Sequence, residues 1–150
     1  EVDLSRADAR VDDLPHQAEP IAVEAGRREE EDGVALAAAR AVDHAIALME
    51  RALAAGATIR AFDPVALENL GKALPAAEHA RDLYHAAEGA DALVISTEWN
   101  EFRAPDFSRL ATAMPSKLIF DGRNLYRREA MHAQGFAYHS VGRAPVDGRR

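Results

Sequence analysis

The chain has 150 residues, 48% of them hydrophobic and 29% charged, with a formal net charge of −7 and no cysteine. That is enough for one domain with a real core, and too short for two comfortable ones. It excludes disulfides, thiolate metal sites and a cysteine nucleophile within this sequence, and no apolar run approaches the 18 residues of a membrane span.

The charge is unevenly placed. Residues 1–32 hold 11 of the 25 acidic and 4 of the 18 basic residues, and the other 118 residues carry 14 of each. A neutral body behind an acidic leader argues against nucleic acid as a partner, because phosphate binding needs a basic surface. The start, Glu1-Val2-Asp3, is acidic with no apolar stretch behind it, so neither a secretory signal nor a membrane partner is expected and the location expected is cytoplasmic.

Taken in order, residues 1–32 read as a poorly ordered or atypical leader, broken by Pro15 and Pro20 and closed by the charge run Arg27–Asp32. Within it Ile21-Ala22-Val23 is a short candidate strand. Residues 33–143 read as the domain and 144–150 as an exposed tail. Val42, Ile46, Met49 and Leu53 fall on one helical face, predicting a helix over Val34–Ala55 that stops at Gly56. Thr58–Phe62 is strand-like, and Asp63-Pro64 opens a helix over Val65–Leu74, with Asp63 as its N-cap. A brief extended piece near Glu78–Ala80 is followed by a helix that Asp82 caps and Gly89 closes.

Ala92–Ile95 and Leu118–Phe120 are continuous apolar runs that stop at polar clusters, as buried parallel strands do, and the second strand is read as Lys117–Phe120. Helices are expected at Asp106–Ala113 and Arg127–Gln134, and a last strand at Phe136–His139. Strands alternating with helices imply right-handed crossovers. The fold class is therefore α/β, a three-layer Rossmann-like parallel sheet with helices on both faces.

In such sheets the ligand crevice lies at the carboxyl ends of the strands. Arg123 is the sharpest candidate there, following Asp121 and Gly122 directly after a strand. A guanidinium at that place can grip a phosphate or pyrophosphate, with Gly122 permitting close backbone approach. The alternative is a surface arginine paired with Asp121 or Glu98. Thr97, Glu98 and Asn100 at the neighbouring strand end can bind a ribose or a base edge, or can serve only as caps and loop hydrogen bonds. Trp99 and Phe102 are expected to pack the loop against the sheet edge. Asp63 occupies the place of the ribose-binding acid of dinucleotide folds, although its capping role accounts for it. The six histidines lack ligand spacing, so no metal is expected. No Gly-x-Gly-x-x-Gly, P-loop or Gly-x-Ser-x-Gly occurs, and no catalytic residue is assigned.

Five segments together resemble a known family. They are Gly56-Ala57-Thr58-Ile59-Arg60-Ala61-Phe62-Asp63-Pro64, Gly89-Ala90-Asp91-Ala92-Leu93-Val94, Thr97-Glu98-Trp99-Asn100-Glu101-Phe102, Phe120-Asp121-Gly122-Arg123-Asn124-Leu125 and Gly135-Phe136-Ala137-Tyr138. In order and spacing they resemble the C-terminal, UDP-binding domain of the UDP-glucose/GDP-mannose dehydrogenase family, over residues 46–143. The resemblance implies enzymes that oxidise the C6 hydroxyl of UDP-glucose twice, to UDP-glucuronate for polysaccharide biosynthesis, with two NAD and a cysteine that forms a thioester. It implies that Arg123 contacts the nucleotide-sugar from a partner subunit or domain.

This sequence departs from the family in having no cysteine and no Gly-rich NAD motif. Where the family has a Gly-Leu-Ala-Phe-Lys-Pro-x-Thr-Asp-Asp strand and loop, it has Ile21–Arg40, with no lysine before Lys72. The expectation is a UDP-sugar-binding domain that is not catalytic alone and binds no NAD by itself. Its expected partners are UDP or UDP-glucose, a separate NAD-binding catalytic half and a second copy of itself. The alternatives are a stand-alone nucleotide-sugar-binding or regulatory module, and a structural remnant that binds nothing.

Overall fold

The computed structural model describes residues 21–24 and 44–149, with the backbone alone for 21–24 and 67–69. The helix α1 covers 44–54, followed by β2 (Ile59–Phe62), α2 (Leu67–Ala73), β3 (Glu78–His79), α3 (Leu83–Ala87) and β4 (Ala92–Ile95). A 3₁₀ turn at Asn100–Phe102 then leads to α4 (Phe107–Ala113), β5 (Leu118–Asp121), α5 (Arg128–Ala133), β6 (Ala137–Ser140) and β7 (Val146–Asp147). The first strand, β1, is Ile21–Glu24.

These strands form one seven-stranded sheet in the order β3-β2-β1-β4-β5-β6-β7. Every pairing is parallel except β6 with β7. The doubly wound α/β architecture expected from the strand–helix alternation is present. Two features of it concern the segments read as leader and tail. The candidate strand at Ile21–Val23 within the leader is present as the third of the seven strands: Ile21–Glu24 pairs with Ile59–Phe62 on one side and with Ala92–Ile95 on the other. The rest of that leader, and the 34–43 part of the first helix, lie outside the described residues. At the other end the tail read as exposed supplies an antiparallel edge strand, with Ala137 opposite Asp147 and Tyr138 opposite Val146. Gly148 is buried there, where a Cβ would overlap the His132 carbonyl at the end of α5.

The sheet separates two cores. Ala45 and Met49 of α1 and Leu70 of α2 pack with Leu74 on Ile59 and Ala61. On the opposite face, residues of α3, α4 and α5 (Leu83, Ala86, Leu110, Met131) pack on Leu93, Ile95, Ile119 and Tyr138. The alternation along β2 and β4 produces this division: Ile59 and Ala61 face one core and Phe62 the other, while Val94 faces opposite to Leu93 and Ile95. Full burial of an aliphatic or aromatic side chain contributes about 1.5–3 kcal/mol.

Local signals behave as their chemistry requires. Asp82 caps α3, its Oδ1 accepting from His85 N at 2.7 Å, and Asp106 caps α4 through Arg109 N at 3.1 Å. Asp63 does something different from the expected N-cap. Its Oδ1 accepts from Val65 N at 2.7 Å and Ala66 N at 2.6 Å, closing a turn, while α2 begins only at Leu67.

Candidate functional site

The parallel register of β4 and β5 sets Ile95 beside Asp121. Two strand ends that are 26 residues apart in sequence therefore open side by side at one edge of the sheet. Thr97–Phe102 leaves from β4 and Gly122–Tyr126 from β5. Gly122 N donates to Ile95 O at 2.8 Å, and a Cβ on Gly122 would stand 3.1 Å from that carbonyl. The close approach that calls for glycine here is thus to the neighbouring strand end.

Asp121 is 1% exposed and organises the second loop. Its Oδ1 accepts from Arg123 N at 2.8 Å, and its Oδ2 from Leu125 N at 2.7 Å, Tyr126 N at 3.3 Å and the Tyr138 hydroxyl at 2.7 Å. Burial and the Asp121 carboxylate both push the Tyr138 hydroxyl above the usual phenol range, so it remains an O–H donor. Asn124, in the left-handed region at φ 57, donates from Nδ2 to Val141 O at 3.2 Å and ties the loop to the end of β6. Asp121 is therefore the holder of the Arg123 loop, with its lone pairs directed at its own chain.

Arg123 projects from this loop and donates to Glu98 Oε1 at 2.7 Å, the second of the two readings its position allowed. The other oxygen of Glu98 accepts from Arg103 NH2 at 3.0 Å. The side chains of Glu98 and Arg123 are 38% and 39% exposed, so the pair lies at the mouth of the strand-end crevice. Arg103 gave no signal in the sequence, because its approach to Glu98 depends on the 3₁₀ turn between them; its N–H is bonded to Asn100 O. Tyr126 and Tyr138 were likewise unmarked, since their roles depend on carbonyl and carboxylate groups far along the chain. Tyr126 OH donates to Phe102 O at 2.6 Å and so holds the first loop from the β5 side. The Phe62 ring meets Phe102 edge-on at 6.0 Å from the β2 side. Trp99 and Phe102 pack the loop as expected, Phe102 fully buried.

Of the remaining candidates, Thr97 is 5% exposed at the end of β4, and its Oγ1 and the Ser96 Oγ are buried without a hydrogen-bond partner. Asn100 stands apart in the exposed turn. Asp63 is fully buried at the end of β2. Burial raises its pKa above the ordinary 3.8, opposed by its two backbone bonds and by the nearby Trp99 indole N–H, which stops short of a hydrogen bond with Oδ2. Between that ordinary value and its raised one, the folded state binds the proton more tightly, so ionisation subtracts from stability as pH rises. Asp63→Asn keeps an acceptor for the turn and removes the charge. It is expected to hold or raise the melting temperature at pH 7 and to flatten its decline above pH 4. Melts recorded from pH 4 to 7 test this, and an unchanged pH slope would assign the titration to another group.

Among the described residues, no group of three or more His, Asp or Glu side chains could hold a metal ion. No described helix is long and apolar enough to cross a membrane.

Comparison with known proteins bears on this edge. The UDP-glucose/GDP-mannose dehydrogenase family, UDP binding domain, matches residues 40–128. The UDP-glucose 6-dehydrogenase of Rhizobium meliloti (strain 1021) is 48% identical over 99 residues, 66% of this chain and 23% of that protein. The Pseudomonas aeruginosa UDP-glucose 6-dehydrogenase is 42% identical over 104 residues, 65% of this chain and 23% of the relative. The chain thus spans about a quarter of the length of these curated relatives. In fold it is similar to a UDP-glucose dehydrogenase from Pyrobaculum islandicum, with a TM-score of 0.60 at 18% identity over 85% of this chain and 26% of that one. It is equally similar to an NDP-N-acetyl-D-galactosaminuronic acid dehydrogenase from Methanosarcina mazei Go1, with a TM-score of 0.60 at 20% identity over 87% of this chain and 25% of that one. The family match includes both loops of the β4–β5 edge, and on that ground the chain belongs to the UDP-glucose/GDP-mannose dehydrogenase family and carries its UDP binding domain.

Proposed function

We propose that this domain serves a UDP-glucose 6-dehydrogenase, binding UDP-glucose at the β4–β5 edge while oxidation by NAD takes place on another part of the enzyme, in the cytoplasm. The observation that carries this reading is Arg123. It stands at the carboxyl end of a central parallel strand, on a loop fixed by Asp121, half exposed and aimed across the crevice. Asp121 and Gly122 act by shaping that loop. For the ribose or sugar the candidates are Thr97, whose hydroxyl is buried and unpaired at the end of β4, and Asn100, in the exposed turn beyond it.

NAD does not fit the residues present. Asp63, at the strand end where dinucleotide folds hold a ribose, is fully buried with its Oδ1 bonded to its own turn. The sequence also lacks the Gly-x-Gly-x-x-Gly fingerprint and a cysteine nucleophile. NAD and the thioester step are therefore assigned to a separate half, and the domain alone is not a catalyst.

Affinity for UDP in isolation is expected to be millimolar at best. A charge-assisted contact contributes about 1.5–3 kcal/mol, and micromolar binding needs about 8 kcal/mol. Titration with UDP and UDP-glucose, followed through amide resonances, tests the reading. Shifts are expected to cluster at Ser96–Asn100 and Asp121–Asn124 and to vanish in Arg123→Ala. Binding that survives this change would move the site elsewhere, and a dispersed spectrum that does not respond would leave a structural remnant.

A further inference from the structure

We propose that Arg103 and Arg123 form a two-armed cradle for a diphosphate, which Glu98 occupies as an internal counter-ion and yields when the ligand arrives. This rests on the reading of Arg123 as the nucleotide contact and adds to it a second phosphate-binding residue and a competitor.

The geometry at Glu98 motivates it. The two oxygens of one carboxylate are divided between two guanidiniums, at 2.7 Å to Arg123 and 3.0 Å to Arg103. A carboxylate so held presents two anionic oxygens to two arginine forks, the arrangement in which those forks receive phosphate oxygens. Each arginine uses one terminal nitrogen on Glu98, out of five N–H donors. Their side chains are 48% and 39% exposed, so both forks remain open to a ligand from solvent.

The charge balance favours exchange. Two guanidiniums against one carboxylate leave the cluster with one excess positive charge, and with Glu98 swung away it carries two, matched to a diphosphate. Exposed ion pairs such as these are weak, so their loss opposes ligand entry little.

The backbone is already set for the exchange. Arg123 N is fixed by Asp121 Oδ1 and Arg103 N by Asn100 O, while Phe102 between the loops is pinned by the Tyr126 hydroxyl. Glu98 is the side chain that has to turn. Thus Glu98, which the sequence offers as a ligand-binding group, is cast here as the ligand's rival.

The test titrates the full chain with inorganic pyrophosphate and with UDP at one low ionic strength, since salt screens all these contacts. Wild type is compared with E98Q, R103A, R123A and the E98Q/R103A double variant. All three positions are on the surface, and circular dichroism checks that the folds match. E98Q is expected to bind both probes about two- to fivefold more tightly. R103A is expected to weaken binding severalfold, and to do so equally in the E98Q background. Unchanged or weaker binding in E98Q overturns the counter-ion role. An R103A effect that disappears once Glu98 is neutralised overturns direct contact by Arg103. If R123A abolishes binding while E98Q changes nothing, the cradle fails and the proposed function stands. If R123A changes nothing, the site itself is misassigned.

Discussion

Asp121→Ala is expected to lower stability by about 3–5 kcal/mol, a fall of roughly 10–20 °C in melting temperature for a chain of this size. The carboxylate is 1% exposed and accepts from three backbone N–H groups and one hydroxyl. Its removal leaves those donors facing a void, at about 1–3 kcal/mol for each one that water cannot reach. Leu125 N and Arg123 N lie in a part-buried loop where water can replace some of the loss, which bounds the sum. Tyr138→Phe is the informative comparison. It deletes one donor, leaves the carboxylate three others, and is expected to cost about 1 kcal/mol. The functional consequence is separable from the thermal one. With the loop released, Arg123 remains in the chain but loses its fixed origin at Asp121, so the UDP response should disappear at temperatures where the variant is still folded. A melting temperature within a few degrees of wild type would mean that the Tyr126 and Asn124 contacts carry the loop instead.

What the sequence makes legible follows from how local each determinant is. Ala92–Ile95 and Leu118–Phe120 are recognisable because a strand buried on both faces has to be continuously apolar. Asp82 is recognisable because a cap needs only its own next turn. β7 is not: Val146-Asp147, between Pro145 and Gly148, is a strand only through its pairing with Ala137 and Tyr138. The same distinction divides the site. That Arg123 and Glu98 approach one another follows from adjacent parallel strands, and so was open to inference. That Gly122 answers to Ile95 O, that Tyr138 anchors Asp121 and that Arg103 shares Glu98 depend on groups brought together by packing. The reading of Asp63 as an N-cap failed by a few residues because the same carboxylate chemistry closes a turn as readily as it starts a helix.

Ala22→Pro is the second large effect, and it tests the short candidate strand of the leader. Ile21-Ala22-Val23 has little local strand signal, yet the sheet order makes it the link between β2 and β4, which do not pair with each other. Adjacent strands lie about 4.8 Å apart, so without β1 those two strands would face each other across roughly twice that distance. Ala22 stands opposite Arg60 on one side and Leu93 on the other. A proline there removes a ladder hydrogen bond to one of those neighbours and adds a ring that a central strand does not accommodate. The cost should exceed about 3 kcal/mol, against a total stability of 5–15 kcal/mol typical of a domain. The expected result is loss of the cooperative melt, or a collapse in amide dispersion that reaches Ile59–Phe62 and Ala92–Ile95 together, because β1 joins the two parts of the one sheet. Nucleotide response should be lost with it, since the Thr97–Phe102 loop is braced by Phe62 on the β2 side and by Tyr126 on the β5 side. A proline variant that melts as wild type does would show that the β2–β3 and β4–β7 halves hold together through their helices, and that the segment before α1 is dispensable to the site.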